Sequence, residues 1–483
     1  MAGKNILIFM TDGHRADTLG CYGNPILKTP NVDALAREGV RFTRAFCPHT
    51  VCMPTRATVF TGRYPHTHGV RANGIPLPKG EVTLPQVLAG NGYRTGAAGK
   101  LHFEPQAAPE YPPKLEDGRP YYGFHEVRLS ENKLGAEYLR FIDERFPELA
   151  RAVRRREPVP EEAHPAHWVT GRAIDFIKRC SVALVAGNQC HTPFFCFCSF
   201  DELIPPCHVP TTFADLYKPE DMPAPKMREG ELDTKPPYYR QCYEGYVRLK
   251  RQPDDATLRK YLASYYNQAA FLDKQFGRVV SALKECGVWD ETIVLFTTDH
   301  GLLLNDHWQW RHGPFLQDPV INIPMIWRVP GRGGRVVEEL VETVDIMPTL
   351  LDLVSADVGA HGRAPLHTSG IQGRSLRPLL LGEAGTKGKE CILAEDTESP
   401  ELRARGLDPA GFRIKAVRTR DWKLIHYPGA PYGELYDLRN DPDEFENLWS
   451  APRYGEKRRE MEKLLLDRLC DSEDPLPQMV YEW

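Results

Sequence analysis

Asn5-Ile6-Leu7-Ile8-Phe9-Met10, running into Thr11-Asp12, is the stretch whose reading decides the fold. It is a short, continuous apolar run, the pattern of a strand buried on both faces of a parallel sheet. The pattern returns at Thr292-Ile293-Val294-Leu295-Phe296-Thr297, which ends on Thr298-Asp299-His300. A third run, Pro193-Phe194-Phe195-Cys196-Phe197-Cys198-Ser199-Phe200, ends at Asp201. Amphipathic stretches at 31–38, 170–178, 258–285 and 346–354 alternate with these runs. Strand and helix alternating in this way predict an α/β fold, with a large, mostly parallel sheet sandwiched by helices.

Beyond about residue 375 the texture changes. Residues 412–419 and 422–427 alternate apolar and polar positions across a short turn, which suits antiparallel strands with one wet face. A terminal helix is expected near 458–471. We therefore expect a catalytic α/β domain over 1–375 and a smaller C-terminal α+β domain over 376–483; a chain of 483 residues exceeds the size at which one core keeps growing. Segments 104–120, 204–240 and 355–375 are rich in Pro and Gly and read as loops.

Composition narrows the function. Hydrophobic residues make up 41% and charged residues 26%, with a net charge of -4, so there is no electrostatic case for nucleic acid or an anionic membrane surface. No apolar stretch reaches the length of a membrane span, and the N-terminus runs straight into the first strand without a signal-like core, so a cytoplasmic location is expected. The 12 cysteines show neither metal-ligand spacing nor a disulfide framework.

Ligands of parallel α/β sheets gather outside the carboxyl ends of the strands. Asp12 and Asp299 each follow a buried run, so both face one crevice, where they would repel unless a cation joined them. His300 adds a nitrogen donor. Two carboxylates with one imidazole suit Ca²⁺, Mg²⁺ or Mn²⁺ better than structural zinc.

Thr50-Val51-Cys52-Met53-Pro54-Thr55-Arg56-Ala57-Thr58-Val59-Phe60-Thr61-Gly62 reads as a loop entering a short helix, with Pro54 at its first position and Gly62 at its exit. Cys52 would then lie at a helix N-terminus that stabilises an anion, with Arg56 one turn on. That describes an activated thiol or an anion-binding turn.

The segment resembles the C-x-P-S-R motif of type I sulfatases, with Thr55 in the serine position. Other stretches match in order: Thr11-Asp12-Gly13-His14-Arg15, Gly99-Lys100-Leu101-His102, Thr298-Asp299-His300-Gly301, Val344-Asp345-Ile346-Met347-Pro348-Thr349, and Leu435-Tyr436-Asp437-Leu438 with Asp441-Pro442. The chain is thus identified as a sulfatase relative with an alkaline phosphatase-like fold.

The resemblance implies hydrolysis of a sulfate monoester, with Cys52 oxidised to formylglycine by a separate generating enzyme. It implies one divalent metal, Ca²⁺ ahead of Mn²⁺ or Mg²⁺, held by Asp12, Asp299 and His300 together with position 52. Arg56 and Lys100 would offset charge on the sulfate. His102 would handle the formylglycine hydroxyl. His208, in Pro206-Cys207-His208-Val209-Pro210, would protonate the leaving alcohol or bind sulfate, and Asn73 would contact an oxyanion. Lys100 and His102, two apart on an extended segment, would face the same side. The substrate would be a small-molecule or saccharide sulfate ester, and homo-oligomers are expected.

Two positions depart from the family pattern. Gly13 replaces a side-chain metal ligand, leaving its place to water or a shifted neighbour such as His14. His312 replaces the usual lysine, so activity is expected to fall as His312 deprotonates. Two further readings stand beside the sulfatase: a phosphonate monoester or phosphodiester hydrolase with the same nucleophile, and a catalytically weakened anion-binding relative.

Overall fold

The computed structural model describes residues 4–105, 120–131, 135–185, 192–249, 252–355, 370–397 and 413–473. The opening stretch forms β1 (Asn5–Thr11), with every residue buried. It is joined in one eight-stranded sheet by β2 (Val40–Phe46), β3 (Arg94–Gly99), β4 (Glu126–Leu129), β5 (Phe194–Ser199), β6 (Thr292–Thr298), β7 (Asn322–Arg328) and β8 (Arg335–Glu342). The strand order is β4-β3-β5-β1-β6-β7-β2-β8. β1 pairs in parallel with both β5 and β6, and only β7 runs against its neighbours. The sheet is therefore mixed and mostly parallel, as expected.

The continuous apolar runs make sense because both faces of the sheet are covered. Ile6, Ile8 and Met10 join one hydrophobic layer with Phe195, Phe197, Ile293 and Leu295. Leu7 and Phe9 join the opposite layer with Phe194, Cys196, Val294 and Phe296. Cys196 and Cys198 are accordingly small core residues. Phe9 packs against Phe200, Phe276 and Phe296 with ring centroids 4.7, 5.1 and 5.7 Å away. Truncating such a side chain to Ala costs about 3–5 kcal/mol.

The helices lie where the periodicity placed them, with longer ends. They are α1 (Pro30–Glu38), α2 (Cys52–Thr61), α3 (Pro165–Val185), α4 (Asp255–Glu285), α5 (Ile346–Val354) and α6 (Gly455–Asp471). α1, α3 and α4 cover the Leu7 and Phe9 face, while α2 and α5 cover the other. α4 begins at Asp254, whose carboxylate accepts a hydrogen bond from Thr257 N and caps the helix. Of the expected loops, 204–240 holds short 3₁₀ turns and the start of a helix at Pro237–Arg248. Most of 104–120 and 355–375 lies outside the described residues.

A separate four-stranded antiparallel sheet follows, built from β9 (Cys391–Thr397), β10 (Arg413–Thr419), β11 (Trp422–His426) and β12 (Gly433–Asp437) in the order β12-β11-β10-β9. Leu393, Val417, Leu424 and Leu435 on its inner face pack with Met461 and Leu465 of α6. β9 also reaches the segment just upstream of α2: Glu395 N donates to Pro48 O at 2.8 Å.

Candidate active site

The site lies at the carboxyl ends of four adjacent strands. In the order β3-β5-β1-β6, these ends carry Lys100, Asp201, Asp12 and Asp299. α2 approaches from the side and delivers Cys52 and Arg56, one turn apart, to the same point. Val51 is extended (φ -129°) and the helix starts at Cys52, so Pro54 is its third residue rather than its first. A proline is tolerated there because first-turn N–H groups have no intrahelical acceptor. Gly62 ends the helix with φ +66° and donates its N–H to Thr58 O.

Arg56 is fully buried and fixed at several points. Its Nε donates to Asp299 Oδ2 at 2.8 Å, and one terminal nitrogen donates to Lys100 O at 2.7 Å and Ser199 Oγ at 2.8 Å. Its other nitrogen lies 3.5 Å from Asp12 Oδ2. Lys100 Nζ sits between Asp12 Oδ2 at 2.6 Å and Asp201 Oδ1 at 2.7 Å, and is 3.5 Å from Cys52 Sγ. Burial pushes the Asp12 carboxyl up, but the cations around it, Lys100 first and then Arg56, hold it well below the usual carboxylate range. Burial disfavours the charged Lys100, and Asp12 with Asp201 more than restores it, so the ammonium stays charged.

Cys52 Sγ lies 3.3 Å from His300 Nε2 and 3.5 Å from Asp12 Oδ2. Burial, reinforced by Asp12, drives the thiol well above its ordinary pKa. Desolvation and the two nearby carboxylates thus favour the neutral thiol against the pull of Lys100 and Arg56.

One oxygen of Asp12, one of Asp299, His300 Nε2 and Cys52 Sγ lie within 4.8 Å of one another, all in buried residues. Asp12 Oδ1 has no hydrogen-bond partner, which is costly for a buried carboxylate oxygen. His300 Nδ1 is 2.9 Å from Gly301 O; a carbonyl can only accept, so Nδ1 carries the proton and Nε2 presents its lone pair to Asp12 and Asp299, 4.0 and 3.8 Å away. An orphaned carboxylate oxygen beside an imidazole lone pair fits a hard divalent cation.

Gly13 lies in the left-handed region (φ +69°), and an added Cβ would meet Leu302 and Leu203 O at 3.3–3.4 Å. Its N–H faces Asp299 Oδ1 at 3.3 Å. His14 does not take the vacant ligand place: its ring packs edge-on to Phe296 and Tyr265 in the core, with Nδ1 at 3.3 Å from Thr11 Oγ1. Position 52 is what completes the donor group.

The remaining candidates spread around this centre. Asn73 Oδ1 accepts from Met53 N at 3.0 Å, so it caps α2 directly behind Cys52. His102 does not continue an extended strand from Lys100. Its φ is +55°, and Glu131 Oε1 holds the turn by accepting from Leu101 N and His102 N at 2.9 and 3.1 Å. Burial and then Lys100 press the His102 ring well below its ordinary pKa, and its Nδ1 has no partner. His312 stacks against His300 with ring centroids 4.6 Å apart. Gly313 N donates to His312 Nδ1 at 2.8 Å. His208 stacks on His164 and its Nε2 meets Glu157 O at 2.7 Å. Its N–H is thus committed to a backbone carbonyl.

Sequence reasoning passed over Asp201, Ser199 and Glu131. Asp201 carried the same signal as Asp12 and Asp299, an acid after a buried strand. Its role as the second anchor of Lys100 emerges only when β3 and β5 are adjacent.

A large mixed sheet with an Asp and His donor cluster at its strand ends, facing a residue at the start of a helix, defines the alkaline phosphatase-like class. Residues 4–356 match the sulfatase family model, and the chain belongs to that family. Residues 306–470 match the model described as N-sulphoglucosamine sulphohydrolase, C-terminal. The chain is 28% identical to an arylsulfatase of Clostridium perfringens, over 97% of this chain and 95% of that one. It is 25% identical to the N-acetylglucosamine-6-O-sulfatase of Bacteroides thetaiotaomicron, over 95% of this chain and 85% of that one. Among solved structures, the phosphonate monoester hydrolase of Agrobacterium radiobacter aligns with a TM-score of 0.79 and 26% identity, covering 98% of this chain and 96% of that one. The protein is a hydrolase acting on sulfate esters. No helix among the described residues is long and apolar enough to cross a membrane.

Proposed function

We propose that the protein cleaves a sulfate monoester through a formylglycine derived from Cys52, with a divalent metal held by Asp12, Asp299, His300 and residue 52. The observation that carries this reading is the convergence of those four donors around the unpartnered Asp12 Oδ1. Residue 52, once converted to the aldehyde and hydrated, would supply the attacking hydroxyl, and Asp12, Asp299 and His300 would hold a Ca²⁺, Mn²⁺ or Mg²⁺ ion that could polarise an ester oxygen.

The chain's own residues prepare the rest. Arg56 is locked by Asp299, Lys100 O and Ser199, so its charge is placed without reorganisation where negative charge develops. Lys100, aimed by Asp12 and Asp201, presents its ammonium beside residue 52 and binds a sulfate oxygen. His102, kept neutral by burial, has an unpartnered Nδ1 that can accept a proton from a hydroxyl on residue 52. Asn73 and His312 line the sulfate side. His208 faces the leaving alcohol and can release a proton only if its N–H leaves Glu157 O.

Cys52 is 4% exposed, so a formylglycine-generating enzyme would have to reach it before the fold closes. We take 1–375 as the catalytic unit and 376–483 as its smaller companion. A cytoplasmic location and a homo-oligomer remain part of this reading.

A phosphonate monoester hydrolase is the second reading, favoured by the likeness to the Agrobacterium radiobacter enzyme. Turnover of a matched sulfate monoester and phosphonate monoester by matured, metal-supplemented protein separates the two. We expect the sulfate ester to be preferred, and a clear preference for the phosphonate would reverse the ranking.

A further inference from the structure

Beside Lys100 lies a small cavity that the mechanism above does not use. It is walled by Glu131, Asp201 and Glu202 together with Arg156 and His208, and has a volume of about 40 Å³. It lies one side chain from the candidate nucleophile: Asp201 Oδ1 is 2.7 Å from Lys100 Nζ, which is 3.5 Å from Cys52 Sγ.

The walls are rich in hydrogen-bond acceptors. Glu202 Oε2 accepts from Asp201 N at 3.0 Å, and Glu131 Oε1 accepts from the two backbone N–H groups of the Lys100–His102 turn. His208 points the same way chemically. Its Nε2 must carry the proton in order to bond Glu157 O, which leaves Nδ1 as an acceptor. That Nδ1 is buried without a partner in a residue only 8% exposed. Burial also pushes Glu202 up to about 8 and Asp201 up to about 6, so Glu202 is purely an acceptor only above about pH 8.

A ligand group entering this cavity must therefore bring donors. Asp201 is already paired with the Lys100 ammonium, and the Arg156 guanidinium acts on Glu202, so two of the carboxylates already have a cation. Neutral donors fit better than a further cation. A water needs roughly 10–15 Å³ of such space, so the cavity takes a hydroxyl or hydroxymethyl arm but not a ring.

We propose that Glu202 and His208, with Glu131 and Asp201 behind them, form a subsite for a hydroxyl arm of the departing alcohol, so that the ester is a saccharide sulfate rather than an aryl sulfate. This rests on the sulfatase reading above and names its substrate class. An aryl alcohol leaves the buried His208 Nδ1 without a donor, whereas a sugar hydroxyl supplies one.

The test compares glucose 6-sulfate with 4-nitrophenyl sulfate on matured, metal-loaded protein at pH 9, where Glu202 is ionised, for the wild type and Glu202→Gln. The sugar-to-aryl ratio of kcat/KM should exceed one in the wild type and fall about tenfold or more in the variant, mainly through KM. A ratio unchanged within about twofold would overturn the subsite, as would a wild-type preference for the aryl ester. Calorimetry with glucose and with 4-nitrophenol on protein retaining Cys52 distinguishes failure of the reaction from failure of the subsite. Should no sulfate ester turn over, glucose binding that Glu202→Gln weakens still supports the subsite, and absence of glucose binding sinks it.

Discussion

Two buried ionic networks, one under the small sheet and one at the strand ends of the large sheet, differ in the donors they bring together. Under the small sheet, Lys423 is fully buried between Asp318 and Glu444, at 2.5 and 2.6 Å, and also donates to Leu316 O. Close by, the Glu434 carboxylate takes hydroxyl protons from Tyr239, Tyr427 and Tyr436. At the strand ends of the large sheet, Arg56 and Lys100 are buried as deeply, yet Asp12 Oδ1 remains without a partner beside the His300 lone pair. Burial of charge does not mark a reactive centre, since both networks have it. Convergence of metal-ligating donors does: among the described residues, Asp12, Cys52, Asp299 and His300 bring such atoms within 4.8 Å of one another.

This contrast can be broken by substitution. The largest effect is expected for Cys52→Ala, which should lower kcat for a sulfate monoester by about 10⁴-fold or more while leaving the melting temperature nearly unchanged. Residual turnover close to wild type would remove residue 52 from the chemistry. Lys423→Met should do the opposite. Leaving Asp318 and Glu444 buried without their ammonium should cost about 3 kcal/mol in denaturant unfolding, with kcat/KM of the folded fraction kept within about threefold. A large loss of activity without loss of stability would mean that the second network belongs to the site.

Asp201→Asn sharpens the comparison within the site itself. Lys100 would keep Asp12 but lose its second anchor, so kcat should drop roughly tenfold with little change in KM. An unchanged kcat would show that Asp12 alone positions the lysine. The smallest effect concerns pH. Glu202 has an ordinary value of 4.5 and is raised to about 8 in the fold by burial and by Asp201. The folded state therefore binds the proton more tightly than the unfolded state. The stability this contributes is full below about 4.5 and is lost as pH rises through about 8. Glu202→Gln should gain stability relative to wild type, by at least about 1 kcal/mol, as pH is raised across that window. Parallel melting curves at every pH would contradict the shift.

Much of this arrangement was legible in the chain. The runs at 5–10 and 292–297 dictated buried parallel strands, and the acids after them had to share a crevice. What could not be read was lateral order. Nothing in the periodicity of β3 and β5 says that they are neighbours, so the Lys100–Asp201 pair was invisible although both residues were in view. Backbone conformation was the second blind spot: the left-handed φ of His102 turns its ring away from the direction an extended segment would give. The third was desolvation. A helix terminus with Arg56 one turn on suggested an activated thiol or an anion-binding turn, whereas full burial beside Asp12 favours the neutral thiol. His14, a reasonable substitute ligand one residue from Gly13, is lost to the aromatic core for the same kind of reason, namely which face of the turn it occupies.

The most direct measurement of the central claim is sulfate-ester turnover by protein whose peptide containing residue 52 is verified by mass spectrometry, with and without added divalent metal. The account predicts that protein in which the Cys52 side chain has lost sulfur and gained an aldehyde oxygen hydrolyses the ester, and does so only with metal bound. Full conversion and metal loading without sulfate-ester turnover, or equal turnover by protein that keeps the thiol, would contradict it.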